Sequence, residues 1–255
     1  MSGRVAARSC AIFLVALPLL FGGAATGFAQ YQQNAGAADT AALLGGGAPV
    51  SEPFGLDESP VVGGEVSAKW SGVLADIRAE SDVLTRCRDD AQPCPAAARK
   101  FLAVIAEGRA RGGRARLGVI NRAINLAIRP ESDLAQWGVP DRWSAPLATL
   151  TTGRGDCEDY AIAKYVALKE AGVSEDDLRF VIVRDLGLGE DHAVLAARLD
   201  DKWLVLDNRR LALLEDNEMP SVQPLFVLDS AGVRQFALPA TANAAMIAAP
   251  SALGF

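Results

Sequence analysis

The apolar period of this chain changes once along its length, and that change limits what it can fold into. From about Glu65 to Ile128 the large apolar residues recur at three- and four-residue steps: Trp70, Val73, Leu74, Ile77, Leu84 and Cys87, then Phe101, Leu102 and Ile105. That is the spacing of helices with one buried face. Three helices are expected, over about 65–87, 95–109 and 117–128, the last stopped by Pro130. The basic stretch Gly108 to Arg116 reads as a solvated loop, and 131–152, with Trp137, Pro140, Trp143 and Pro146, as an ordered connection. A fourth helix, Cys157 to Ala171, stops at Gly172. Beyond it the pattern is that of strands: Leu178 to Arg184 (LRFVIVR), His192 to Leu199, Lys202 to Leu206 and Leu225 to Leu228, with Asp200-Asp201 as a tight turn. Helices first and strands afterwards predict an α+β domain with a mostly antiparallel sheet.

The ends read differently. Arg4 and Arg8, the apolar run Ala11 to Phe21 and the small-residue stretch ending Gly27-Phe28-Ala29 have the three-part layout of a secretory signal peptide over 1–29. Residues 30–64, rich in Ala, Gly, Gln and Pro, are expected to form a flexible leader. The folded domain is expected over 65–238, followed by a loose Ala-rich tail over 239–255. Removal of 1–29 takes two of the 25 basic residues and none of the 31 acidic ones, so the formal charge moves from −6 to −8. An acidic exported domain of this kind is a poor nucleic-acid binder. Export, with the periplasm as the expected compartment, also changes how the cysteines read. Cys87 and Cys94 lie across a helix end, a turn and a new helix opened by Pro95, which suits a disulfide. Cys157 is then the odd thiol of the three that remain after cleavage, and needs a reason.

The segment Gly155-Asp156-Cys157-Glu158-Asp159 puts that sulfur at the first turn of a helix, where unbonded N–H groups and the helix dipole favour a thiolate. His192 is the only histidine in the chain. If Asp200-Asp201 is a two-residue turn, Leu199 faces Lys202 and Val194 faces Asp207, which brings His192 onto the same face as Asp207, diagonally across the ladder. A thiol on a helix start, an imidazole on a strand and a carboxylate on the next strand make a Cys157–His192–Asp207 arrangement for nucleophilic catalysis. The acids beside the thiol work against it. At an effective dielectric near 20, a carboxylate ~6 Å away costs a thiolate about 2–3 kcal/mol, against about 0.3–2 kcal/mol gained from the helix terminus. Asp156, Glu158 and Asp159 must therefore point away or be neutralised by a cation, and clustered carboxylates suit Ca²⁺.

Three segments carry a resemblance: Gly-Asp-Cys-Glu-Asp-Tyr-Ala (155–161), Glu-Asp-His-Ala-Val-Leu (190–195) and Leu-Asp-Asn-Arg (206–209). In this order they are similar to the bacterial transglutaminase-like cysteine proteinases, the family of the LapG-type periplasmic proteases. The similarity runs from about Trp70 to Leu228 and takes in Ile120-Asn121 and Ile124-Asn125. It implies a papain- or transglutaminase-like fold, the triad Cys157, His192 and Asp207, and calcium beside the nucleophile. Asp156 and Glu158 match the metal-binding positions, with Asp159 as their neighbour. It further implies a protein substrate, a large surface adhesin cut near its N-terminus at paired alanines to control biofilm attachment, and an inner-membrane cyclic-di-GMP receptor that sequesters the protease.

The residues themselves leave two other readings open. An acyl transferase would use the same triad with an amine in place of water, and a binding module would keep it as a relic. A redox role for Cys157 is disfavoured, because no Cys-x-x-Cys partner accompanies it. Any acyl chemistry needs an oxyanion hole. The Cys157 backbone N–H is one donor, with Gln136 and Trp143 as candidates for the second.

Overall fold

The computed structural model describes residues 51–89, 93–219 and 221–237. The expected signal segment 1–29, the first part of the leader and the tail 239–255 lie outside the described residues. A short strand β1 (Glu58–Pro60) precedes three helices, α1 (Gly64–Arg88), α2 (Ala96–Arg109) and α3 (Gly113–Ala127). The connection that follows holds β2 (Arg129–Pro130), α4 (Asp133–Trp137), α5 (Pro146–Thr152) and β3 (Arg154–Gly155), with β2 and β3 paired in parallel. Helix α6 (Cys157–Glu170) leads into β4 (Leu178–Asp185), β5 (Glu190–Leu199), β6 (Lys202–Leu206), β7 (Leu214–Glu215), β8 (Val222–Asp229) and β9 (Gly232–Phe236).

Among the described residues the main sheet has seven strands in the order β1-β9-β8-β4-β5-β6-β7, all antiparallel. The α+β architecture with a mostly antiparallel sheet is thus as the period change requires. Apolar positions on one face of the central strands pack with Phe101, Ile105, Ile120, Ile124 and Leu168 of the helices. Alternate positions, Val181, Val183, Val194, Ala196, Trp203 and Val205, make a second apolar layer on the other face. A strand buried on both faces reads as a continuous apolar run, which is why LRFVIVR shows no clean alternation. Cys87 and Cys94 are bridged, tying the end of α1 to the chain entering α2. Among the described residues no helix is long and apolar enough to cross a membrane.

Two expectations need correction. The basic loop shrinks to 110–112, because α3 begins at Gly113 and takes Arg114 and Arg116 into its first turns. Arg116 then donates from Nε to the carbonyls of Gly108 and Arg111, closing the helix hairpin. The leader is not loose to residue 64. Phe54 and Leu56 pack on the second apolar layer of the sheet, and β1 pairs with β9. Arg179 donates to both carboxylate oxygens of Glu52, at 2.6 and 2.8 Å. The Ala/Gly-rich composition of the leader hides these few anchoring residues, whose reason is the apolar sheet face they cover. A chain starting at residue 62 is expected to be about 2–4 kcal/mol less stable to denaturant than one starting at 51, from lost apolar burial. Equal midpoints would show that this segment adds nothing.

Candidate active site

Cys157 is the first residue of α6, and Asp156 is its N-cap. The helix lies against β5, and the backbone N–H of Ala193 donates to Cys157 Sγ at 3.2 Å. The sulfur therefore rests on the residue next to His192. Asp200 and Asp201 both adopt left-handed φ, 52° and 61°, as a two-residue hairpin turn between β5 and β6 requires. The ladder pairs Leu199 with Lys202 and Leu195 with Leu206, and one further step sets Val194 opposite Asp207. His192 and Asp207 are then diagonal neighbours, and His192 Nε2 lies 2.9 Å from Asp207 Oδ1. With a carboxylate at Nε2, that nitrogen carries the proton. Nδ1 is buried with no hydrogen-bond partner, which leaves its lone pair available for a second proton.

The carboxylate is held from several sides. Its Oδ1 also accepts from the Arg209 N–H at 3.0 Å. Asn125 Nδ2 donates to the Asp207 and Arg210 carbonyls, at 2.9 and 3.0 Å, and Asn121 Nδ2 to the Arg210 carbonyl at 3.1 Å. The two asparagines of α3 thus fasten the chain just after β6. Burial works against the charge on Asp207, but the hydrogen bond and charge of His192, the Arg209 N–H and the Lys164 ammonium pull its pKa down to about 2.

The acids around the nucleophile form one connected cluster. Glu158 turns toward the sulfur, with Oε2 3.2 Å from Cys157 Sγ. Asp156 is hydrogen-bonded to the Glu158 side chain and, with Asp159, converges with Asp133, while Asp133, Asp141 and Glu158 form an overlapping group; the ligand atoms within each group lie within 4.8 Å of one another. Asp133 and Asp141 come from the 131–152 connection, where the sequence offers no spacing to single them out. Asp133 Oδ1, Asp141 Oδ1, Asp156 Oδ1 and Asp159 Oδ2 are all buried without a hydrogen-bond partner. Burial, with repulsion from Asp156, pushes Asp133 up to about 7. Burial also lifts Asp156 to about 6 and, with the Asp156 charge, drives Glu158 and Asp159 well above the ordinary carboxylate range. Hard oxygen donors that are buried, convergent and unbonded are the donor set calcium takes, so these residues fit the ion. Gly155 belongs to this geometry: a Cβ there would lie 2.5 Å from Asp159 Oδ2. Only glycine lets Asp159 come so close.

Two expectations fare differently here. The odd thiol is not what this structure holds: no described cysteine is free, and Cys157 is disulfide-bonded. Of the two candidate oxyanion donors, the Gln136 amide donates to Thr152 Oγ1 at 3.4 Å. The Trp143 indole N–H is buried without a partner, in the same apolar cluster as Cys157 and Ala193.

A cysteine at the first turn of a helix, packed against an antiparallel sheet that carries a histidine–aspartate pair, defines the papain- and transglutaminase-like class. The chain belongs to the bacterial transglutaminase-like cysteine proteinases, whose family model matches residues 81–220, more than half of its 255 residues. Among solved structures it is similar to Legionella pneumophila LapG, with a TM-score of 0.51 at 22% identity over 64% of this chain and 91% of that one. The calcium-bound form of that protein matches at 24% identity and TM-score 0.51, over 61% of this chain and 87% of that one. Its EGTA-treated form matches at 23% identity and TM-score 0.51, over 62% and 84%. At these identities the likeness speaks for the fold. No curated protein matches the chain.

Proposed function

We propose that this chain is an exported, calcium-dependent cysteine endopeptidase, acting in the periplasm through Cys157, His192 and Asp207. The observation that carries this reading is the 2.9 Å contact of His192 Nε2 with Asp207 beside a sulfur bonded by the very next backbone N–H. In the active form Cys157 is a thiol. Its proton passes to Nδ1 of His192 as the sulfur attacks the peptide carbonyl and the S–C bond forms. The oxyanion is met by the Cys157 N–H and the Trp143 indole N–H. His192 then protonates the departing amine as the C–N bond breaks, and later takes a proton from the water that hydrolyses the thioester. Asp207 holds the imidazole and balances its charge.

Asp133, Asp141, Asp156, Glu158 and Asp159 would hold the calcium ion. Bound there, it would neutralise carboxylates that otherwise oppose a thiolate. The proposed substrate, by family, is a large cell-surface adhesin whose release controls attachment and biofilm, and the proposed regulator is an inner-membrane cyclic-di-GMP receptor.

The test is cleavage of the N-terminal segment of a large secreted adhesin from the same genome by residues 30–255, under reducing conditions, with calcium and with chelator. Two shorter fragments that vanish in Cys157→Ser are expected. A higher-mass adduct would mean acyl transfer instead. No product from this segment, nor from a broad peptide library, would end the protease reading.

A further inference from the structure

Helix α6 is buried along nearly its whole length, and one of its wholly enclosed positions is a lysine. Lys164 is 0% exposed. An apolar residue would fill that space with no ammonium to desolvate, and buried charges are seldom retained for stability. It follows Cys157 by seven positions, nearly two helical turns, so both project from the same face of α6. Nζ donates to the Leu206 carbonyl at 3.3 Å and stands 5.9 Å from the centre of the Tyr160 ring. Leu206 is the residue before Asp207, at the end of β6. Burial lowers the Lys164 pKa to about 7, opposed by the charge of Asp207, which in turn is pulled down in part by Lys164. The other cation near that carboxylate, Arg210, reaches Oδ2 only at 4.0 Å and is 42% exposed, so water screens it.

We propose that Lys164 is a positioning residue for the triad: its enclosed ammonium grips the end of β6 and supplies the counter-charge that keeps the Asp207 carboxylate set against His192. This inference rests on the triad reading. Its effect is transmitted through Asp207, so it should show as coupling between the two residues.

The experiment measures the rate at which iodoacetamide alkylates Cys157 from pH 5 to 9 in the reduced full chain, read by mass spectrometry of the Cys157 peptide. Lys164→Met, Asp207→Asn and the double variant are compared with wild type. Lys164→Met is expected to stay folded and to slow alkylation at pH 7 about tenfold, and the double variant to be no slower than Asp207→Asn. Wild-type rates in Lys164→Met, or losses that simply multiply in the double variant, would overturn the proposal. Should Lys164→Met fail to fold, Lys164→Gln serves: it keeps a donor for Leu206 without the charge, and a wild-type rate there overturns the role of the charge. Because the chain has one histidine, the His192 Nε2–H proton is a second readout by NMR, expected to broaden or vanish in Lys164→Met while merely structural packing would leave it. If Asp207→Asn itself leaves alkylation unchanged, the triad reading has failed, which is a different result.

Discussion

His192→Gln is expected to lower kcat/KM for a cleavable peptide by about 10²–10⁴-fold, the contribution of a well-placed general base, while the chain stays folded. Glutamine is chosen because of what His192 touches. Removing the side chain altogether would strand the Asp207 carboxylate, buried, without the donor 2.9 Å away, and breaking a buried pair in that way costs about 3–5 kcal/mol. The glutamine amide keeps a donor for Asp207 and loses only the ability to take the thiol proton. No other histidine is present to substitute for it. Steady-state kinetics with circular dichroism on the same sample separates chemistry from folding. Full activity in a folded His192→Gln would remove His192 from the mechanism. Asp207 adds a stability effect whose sign is fixed. Its folded pKa of about 2 lies below the ordinary carboxylate value of 3.8, so its contribution, about 2 kcal/mol, is present above pH ~4 and is lost as pH falls through ~2.

The pair was legible before any coordinates, because a two-residue turn fixes the register on both sides of it. Asp200-Asp201 sets which residue of β6 faces each residue of β5, and the diagonal from His192 to Asp207 follows. The helix starting at Cys157 was legible for a similarly local reason: acids occupy its first turn, where the helix dipole favours them, and Gly172 stops it. What the sequence could not show is contact between segments with no periodic relation. Asp133 and Asp141 are single acids in an irregular stretch, and they become part of a site only because α4 and the chain after it fold back onto the start of α6. Lys164 looks like any polar residue of a helix until the sheet covers it. Likewise Phe54 and Leu56 sit in a composition typical of linkers, and only the uncovered face of the sheet gives them a place. Asn121 and Asn125 were visible as motif residues, but their work, fastening the chain after β6, is a tertiary fact.

The acidic cluster leads to the other large expected effect. Calcium at about 100 times its Kd is expected to stabilise the folded chain by about 2.7 kcal/mol, a rise of roughly 5–10 °C in Tm for a domain of this size, with chelator reversing it. The pH dependence without the ion runs opposite to that of Asp207. Asp133 and Asp156, raised to about 7 and about 6, bind protons in the folded state that they lose in the unfolded one between pH ~4 and ~7. Metal-free stability from these groups is therefore full below pH ~4 and falls as pH rises through ~7. Calcium needs the same oxygens deprotonated, so its stabilising effect grows over that window. Thermal unfolding at pH 5 and 7.5, each with calcium and with chelator, should show the larger calcium response at 7.5. The paired substitution Asp133→Asn with Asp141→Asn relieves the repulsion that calcium otherwise relieves. That variant should exceed wild type in Tm under chelator at pH 7.5 and gain little from calcium. An equal calcium response in wild type and variant would move the ion away from these carboxylates, and no response in either would remove it from the protein.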